Sequence, residues 1–264
     1  MGEPLLHPYL PDFIRIAREK GFRTVLTSNG TLLDKAMNLL SFLPHKMQLS
    51  LHSHESNGKG ILAEYIDKVM QFAIPAARQG TCVVLRLWNQ GGRESENEQV
   101  IRLLGEYVPK SWKERPDGYR LCDNLYLEFD RKFEWPEAKM PPSDSPEGEG
   151  LLDSTEPSNK DLEQKKVIKN SPPRGSRRGA EIFCKALHKQ IGILSDGSLV
   201  PCCMDHDGDI TLGNLFTQSL DEILSSPRAK AMVEGFQHHR ATELLCQNCE
   251  SGNARNSFRG KPKS

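Results

Sequence analysis

Four short runs rich in Val, Leu and Ile, each arriving after a stretch of helical periodicity, constrain this chain more than any other feature. The helical stretch YLPDFIRIAREKG sets Leu10, Phe13, Ile14 and Ala17 at helical spacing and places Gly21 to end it. The extended run FRTVLTSNG follows. The pair repeats as TLLDKAMNLLSFL then KMQLSLHS, as ILAEYIDKVMQFAIPAARQG then TCVVLRLWN, and as ESENEQVIRLLGEYV then, after an irregular stretch, NLYLEFD. Apolar strand runs separated by helices predict parallel strands joined by right-handed crossovers, so the expected fold class is α/β.

Residues 137–180 change character, with six prolines, few apolar residues and charge segregated into an acidic half and a basic stretch from Lys165 to Arg178. This composition predicts a disordered linker. The chain is thus expected to divide into residues 1–136, the linker, and a compact module over 181–264. In that module IGILSDGSLVPCC reads as two short strands around a turn at Asp196 and Gly197, and SLDEILSSPRAKAMVEGF as a helical segment whose second half opens at Pro227.

The 35 basic and 35 acidic side chains balance, so no net field draws the chain to nucleic acid or an anionic membrane. No apolar run approaches the roughly 18 residues that span a bilayer, and the amino terminus lacks signal-peptide character; a cytoplasmic address is expected. Of seven cysteines, five lie between 184 and 249. In a reducing compartment such clustering points to metal rather than to disulfides.

Polar groups gather where the strand runs end. They are Gly2, Glu3 and Pro4; Thr27, Ser28, Asn29 and Gly30; Ser50, His52 and Ser53; and Arg86, Trp88 and Asn89. In parallel α/β folds ligands bind at that carboxyl edge. The cysteines are more specific: Cys184, Gly197 in a turn, Cys202, and then Cys246 and Cys249 as C-x2-C. Four thiolates suit a tetrahedral zinc or the corners of a 4Fe–4S cube, and spacing alone leaves both open. Cys203 adjoins Cys202, and neighbours on a strand point to opposite faces, so only one of them should serve.

At these residues the chain resembles the radical S-adenosylmethionine superfamily with a carboxy-terminal SPASM or twitch domain. GEPLLHP is similar to the family's glycine–glutamate segment ending the second barrel strand, VLTSNGTLL to the third-strand segment, and LSLHS to the fourth. The order Cys184, Gly197, Cys202 and the late C-x2-C resemble the SPASM and twitch pattern, as GDITLGNLFTQSLDEI resembles the stretch after its second cysteine. The resemblance implies a partial (β/α)6 barrel lacking its first strands, followed by a small α+β iron–sulfur domain. Gly2 and Glu3 would then hold the amino end of S-adenosylmethionine, Ser50 its ribose, and Ser28, Asn29, Arg86 and Asn89 its other polar edges. Cys184, Cys202, Cys246 and Cys249 would ligate an auxiliary 4Fe–4S cluster. No further cysteine follows the C-x2-C, which fits the one-cluster twitch arrangement.

The family's C-x3-C-x2-C, which binds the catalytic 4Fe–4S cluster, does not occur in this sequence. Cys82 and Cys122 are each isolated, so no catalytic side chain is assigned. The resemblance places the motif before residue 1, and the working enzyme is expected to have an upstream segment. A peptide or small-molecule substrate and a reductant such as flavodoxin or ferredoxin are the expected partners, with no membrane and no nucleic acid indicated. The competing expectation is a noncatalytic iron–sulfur or zinc module. Acid–base chemistry at His52 or His54 is a third, with no partner at catalytic spacing.

Overall fold

The computed structural model describes residues 2–52, 61–90, 97–109, 111–131, 136 and 182–249. It divides into two compact units, Met1–Phe133 and Glu134–Ser264. The proposed linker at 137–180, together with Ser53 and His54, lies outside the described residues.

In the first unit, α1 (Leu10–Glu19) leads to β1 (Val25–Ser28), and β2 (Lys46–Ser50) leads to α2 (Leu62–Arg78). Then come β3 (Cys82–Gln90), α3 (Asn97–Tyr107), β4 (Lys113–Arg115), β5 (Gly118–Cys122) and β6 (Leu125–Arg131). The sheet order is β1-β2-β3-β6-β5-β4. β1, β2, β3 and β6 are parallel, in the register Ser28–Leu49–Leu85–Leu127, while β5 runs antiparallel to β6 and β4 antiparallel to β5. The expected α/β class is present, with a mixed sheet.

Strand alternation sorts the side chains of this sheet into two faces. Leu26, Met47, Leu49, Val83, Leu85, Leu87, Leu125 and Leu127 form one, buried in a common core with Ile66, Val69, Met70, Phe72 and Ala73 of α2. Thr27, Gln48, Ser50, Arg86, Trp88, Tyr126 and Glu128 occupy the opposite phase and are half-buried or exposed. Truncating a fully buried leucine such as Leu85 to alanine costs about 2–5 kcal/mol in such a core. The polar phase is free to carry function.

Two elements depart from expectation. The helix predicted over residues 31–43 is instead a turn and a short 3-10 helix, Met37–Ser41, which still buries Leu33 and Leu39. Local side-chain acceptors compete with helical bonding there: Asn29 Oδ1 takes the Thr31 N–H at 2.9 Å and Asp34 Oδ1 takes the Lys35 N–H at 3.0 Å. Helix α1 follows its predicted limits, yet it buries only Ile14 and leaves Phe13 exposed. The irregular stretch before NLYLEFD is the β4–β5 hairpin, turning on Pro116 and Asp117 between the paired Arg115 and Gly118. Its outer strand, Lys113, Glu114 and Arg115, is wholly exposed, charged in the way edge strands avoid unwanted pairing.

The second unit has β7 (Gly192–Ile193), β8 (Ser198–Val200) and β9 (Gly213–Asn214) in one antiparallel sheet, then α4 (Leu220–Leu224), α5 (Pro227–Gln237) and α6 (Leu244–Gln247). The predicted β7–β8 turn is present, and Pro227 opens α5 as expected. Gly197 has φ +83°, and a Cβ there would meet Phe216 and Asn214 at 2.8–2.9 Å. Only glycine suits that turn.

Gly118 joins positive φ, +146°, to a Cβ position 2.0 Å from the Leu127 carbonyl oxygen. Gly118→Ala is expected to destabilise the first unit by roughly 2–3 kcal/mol or more. Urea unfolding followed by tryptophan fluorescence checks this, and an unchanged midpoint contradicts it.

Candidate functional site

At the carboxyl edge of the parallel strands the structure joins several residues singled out in the sequence. Glu3 precedes a 3-10 turn at Pro4–Leu6 and caps it by accepting the Leu5 N–H at 3.1 Å. The same carboxylate accepts the Ser28 hydroxyl at 2.8 Å and the Asn29 N–H at 2.9 Å. Ser28 Oγ in turn accepts the Gly30 N–H at 3.0 Å, and Asn29 Oδ1 accepts both the N–H and the hydroxyl of Thr31. Tyr65 of α2 donates to the Asn29 carbonyl at 2.7 Å and lies 3.3 Å from the Ser50 carbonyl. Burial pushes the Tyr65 phenol up, and the Glu3 carboxylate adds to the shift, so it stays protonated as a donor. Glu3, Ser28, Asn29 and Ser50 are thus brought together, the first three engaged with one another. Gly2 is exposed, and a Cβ there would touch nothing within 4 Å.

Arg86 stands differently. It is in register with Ser50 on one side and Glu128 on the other, which sets all three on the polar face. Its guanidinium carbon lies 3.9 Å from the centre of the Trp88 ring, a cation–π stack. Its Nε is buried without a hydrogen-bond partner. Burial lowers its pKa, offset by the carboxylates of Glu128 and Asp130. A stacked, charged fork with an unused donor is suited to an anionic group. Asn89 is not part of this face: it is 6% exposed and exchanges amide hydrogen bonds with Asn97 at 2.9 and 3.1 Å, pinning the end of β3 to the start of α3. His52 Nδ1 lies 3.3 Å from the Trp88 N–H and 3.2 Å from the Arg86 carbonyl, a backbone-bracing position.

The second cluster is the cysteines. The turn at Gly197 folds β8 back on β7, Gly192 opposite Val200, and so returns Cys202 towards the segment that starts at Cys184. Cys246 sits within α6, and Cys249 follows it by one turn, its N–H 3.4 Å from the Cys246 carbonyl. Cys202 is buried and its neighbour Cys203 exposed, in the bend that follows β8 rather than on a strand. Burial is the leading cause that pushes Cys184, Cys202 and Cys246 up, Cys202 to about 11. Each of these thiols also feels others of the set, including Cys249, so the four lie within electrostatic reach of one another. Among the described residues no three His, Cys, Asp or Glu side chains form a group that could hold a metal ion. The two facts are compatible, because a four-iron cube takes one thiolate on each iron, and those ligands lie farther apart than the ligands of a single ion. The Ala186 N–H donates to Cys184 Sγ at 3.4 Å, the kind of contact that stabilises a metal-bound thiolate.

Sequence reasoning missed Glu128, Tyr65, Asp205 and Arg228. Glu128 shares strand phase with Tyr126 and Asp130, a signal visible in LYLEFD, but its place beside Arg86 needs the register. Asp205, 1% exposed, closes the loop after Cys202 by accepting the Asp209 and Ile210 N–H groups at 2.9 Å each.

The four thiols lie within electrostatic reach of one another in a unit with a small apolar core. Residues 184–250 match the SPASM family model, an iron–sulfur cluster-binding domain, and the match includes all four cysteines. The carboxy-terminal unit therefore carries a SPASM domain, as its cysteine spacing implied. Comparison with curated proteins finds no match. Among solved structures the chain is similar to SuiB of Streptococcus suis, at 15% identity and a TM-score of 0.48, over 98% of this chain and 63% of that one. SuiB bound to S-adenosylmethionine gives the same identity and TM-score over 98% of this chain and 61% of that one. An archaeal TYW1 is matched at 20% identity and a TM-score of 0.28, over 47% of this chain and 57% of that one. The chain spans less than two thirds of the length of each. No described helix is long and apolar enough to cross a membrane.

The raised thiol pKa values carry a sign. Cys202 ionises near 9 in the unfolded chain and near 11 in the fold, so its contribution to stability is complete below about pH 9 and is lost as pH rises towards 11. Metal-free, reduced protein should show its second unit melting progressively earlier over that window. A flat profile in scanning calorimetry from about pH 8 to 11 contradicts the burial of neutral thiols.

Proposed function

We propose that this chain is part of a radical S-adenosylmethionine enzyme whose α/β unit, a partial barrel, binds S-adenosylmethionine and whose second unit holds one auxiliary 4Fe–4S cluster. The observation that carries the reading is the convergence of Cys184, Cys202, Cys246 and Cys249 within a matched iron–sulfur domain. These residues fit the cluster: four thiols, a backbone N–H on one sulfur, and an apolar surround of Ala186, Ile210, Met232, Phe236 and Leu245. Such a cluster supplies one-electron transfer or structural support. With four thiolate ligands, it leaves no iron open to substrate.

On the first unit, Arg86 takes the carboxylate of S-adenosylmethionine through its free Nε edge, held in place by the Trp88 ring. Ser50, whose hydroxyl has no protein partner among the described residues, takes the ribose. Glu3 acts mainly by fixing the Ser28 and Asn29 loop, and it reaches the ligand's amino group with whatever acceptor capacity those bonds leave. Gly2 keeps that approach open, and Asn89 shapes the site through Asn97. S-adenosylmethionine supplies, on reductive cleavage, the radical that abstracts a substrate hydrogen; the protein's part is orientation and charge. The substrate is a peptide or small molecule, the electron donor a flavodoxin or ferredoxin, and the compartment the cytoplasm.

The second reading, a noncatalytic iron–sulfur or zinc module, draws on one observation: the Glu3 carboxylate is already engaged by three donors.

Anaerobic equilibrium dialysis of the full chain with S-adenosylmethionine tests the first reading. Saturable binding is expected, weakened about tenfold or more in Arg86→Gln, as loss of a charged hydrogen bond requires, and unchanged in Cys203→Ala. Absence of saturable binding, or equal binding by Arg86→Gln, contradicts it.

A further inference from the structure

The Arg228 side chain links two of the three segments that carry the proposed cluster ligands. Arg228 lies in the first turn of α5, where the helix dipole disfavours a cation. It is held there by three hydrogen bonds to two residues. Its Nε and Nη2 donate to the two oxygens of Glu243 at 2.8 and 2.9 Å, and its Nη1 donates to the Thr211 carbonyl at 3.1 Å. Glu243 is the N-cap of α6, the helix of Cys246 that leads to Cys249. Thr211 follows the loop that runs from Cys202 through Asp205, and its hydroxyl closes that loop on Gly208 at 2.8 Å. One guanidinium thus ties the Cys202 loop to the C-x2-C helix.

As a stabiliser of the fold the pair is modest, since the Arg228 side chain is 46% exposed. Its consequence lies in its location. Glu243 is the N-cap of the helix that holds Cys246 three residues on, so its carboxylate sits at the end of the segment bearing that sulfur. A carboxylate beside a ligating sulfur favours the more positive, oxidised state of a cluster, and a cation paired to that carboxylate cancels the effect.

We infer that Arg228 is a positioning residue of the iron–sulfur site, holding the Cys246–Cys249 helix against the Cys202 loop and neutralising Glu243, so that it raises the reduction potential of the bound cluster. The inference rests on the iron–sulfur reading of the four cysteines.

The test uses the anaerobically reconstituted full chain, with acid-labile sulfide measured first and the midpoint potential then titrated with mediator dyes. Arg228→Gln leaves Glu243 uncompensated and shifts the potential down. Glu243→Gln removes the anion and shifts it up. The double variant returns close to the wild-type value, a pattern that mere loosening cannot give, because loosening moves both single variants the same way. Arg228→Lys keeps the charge and loses the fork: its potential stays near wild type, while its cluster is retained about tenfold less well against chelator. Should Arg228→Gln fail to fold by circular dichroism, the upward shift in Glu243→Gln is still required. Potentials that do not move, or that move together, in a sample carrying iron and sulfide overturn this inference alone. Stoichiometric zinc without sulfide overturns the iron–sulfur reading and this inference with it.

Discussion

Four thiols within electrostatic reach of one another, two buried and two half-buried, are the constraint on which the second unit depends. Two of them, Cys202 and Cys246, belong to its apolar core, beside Ala186, Ile210, Met232, Phe236 and Leu245. A core that small contributes little hydrophobic stabilisation by itself. Thiolate binding to metal contributes folding free energy directly, and it releases the protons that burial otherwise keeps on the sulfurs. The remaining local devices serve the same end. The Gly197 turn returns the chain to Cys202, the Asp205 carboxylate closes the loop beyond it, and the Ser219–Glu222 capping box starts the helical segment that leads on to α5.

The first unit separates stability from function by strand phase. One strand phase, with Leu49, Leu85 and Leu127 in register, packs under α2, and the alternate phase sets Ser50, Arg86 and Glu128 in a row. A one-residue slip would exchange the two phases, so the buried leucines fix where Arg86 stands. Around that row the Glu3, Ser28, Asn29 and Tyr65 bonds stiffen the loops at the strand ends. Binding groups on a pre-ordered edge lose less entropy when a ligand arrives.

Much of this was legible in the sequence because it obeys short-range rules. The parallel strands ending at Ser28 and Ser50, and the run bearing Arg86, are apolar and bounded by turn residues. The four cysteines announce themselves by type and spacing, whereas the burial that separates Cys202 from Cys203 comes from the bend after β8 and not from strand alternation. What was not legible depends on pairing. The β4 strand, Lys113 to Arg115, has no apolar phase and is a strand only because β5 pairs with it. The 31–43 segment has helical periodicity, but Asn29 and Asp34 divert its first backbone donors. Asn89 looks like a ligand-facing amide at a strand end until Asn97 is seen to take it. Arg228 and Glu243, fifteen positions apart, carry no motif that marks them as partners.

The central claim is that Cys184, Cys202, Cys246 and Cys249 hold one four-iron cluster. The most direct test is the intact mass of the anaerobically reconstituted chain under native electrospray conditions. The account predicts a single adduct of about 350 Da, the mass of four irons and four sulfides. An adduct of about 65 Da, one zinc ion, would contradict it.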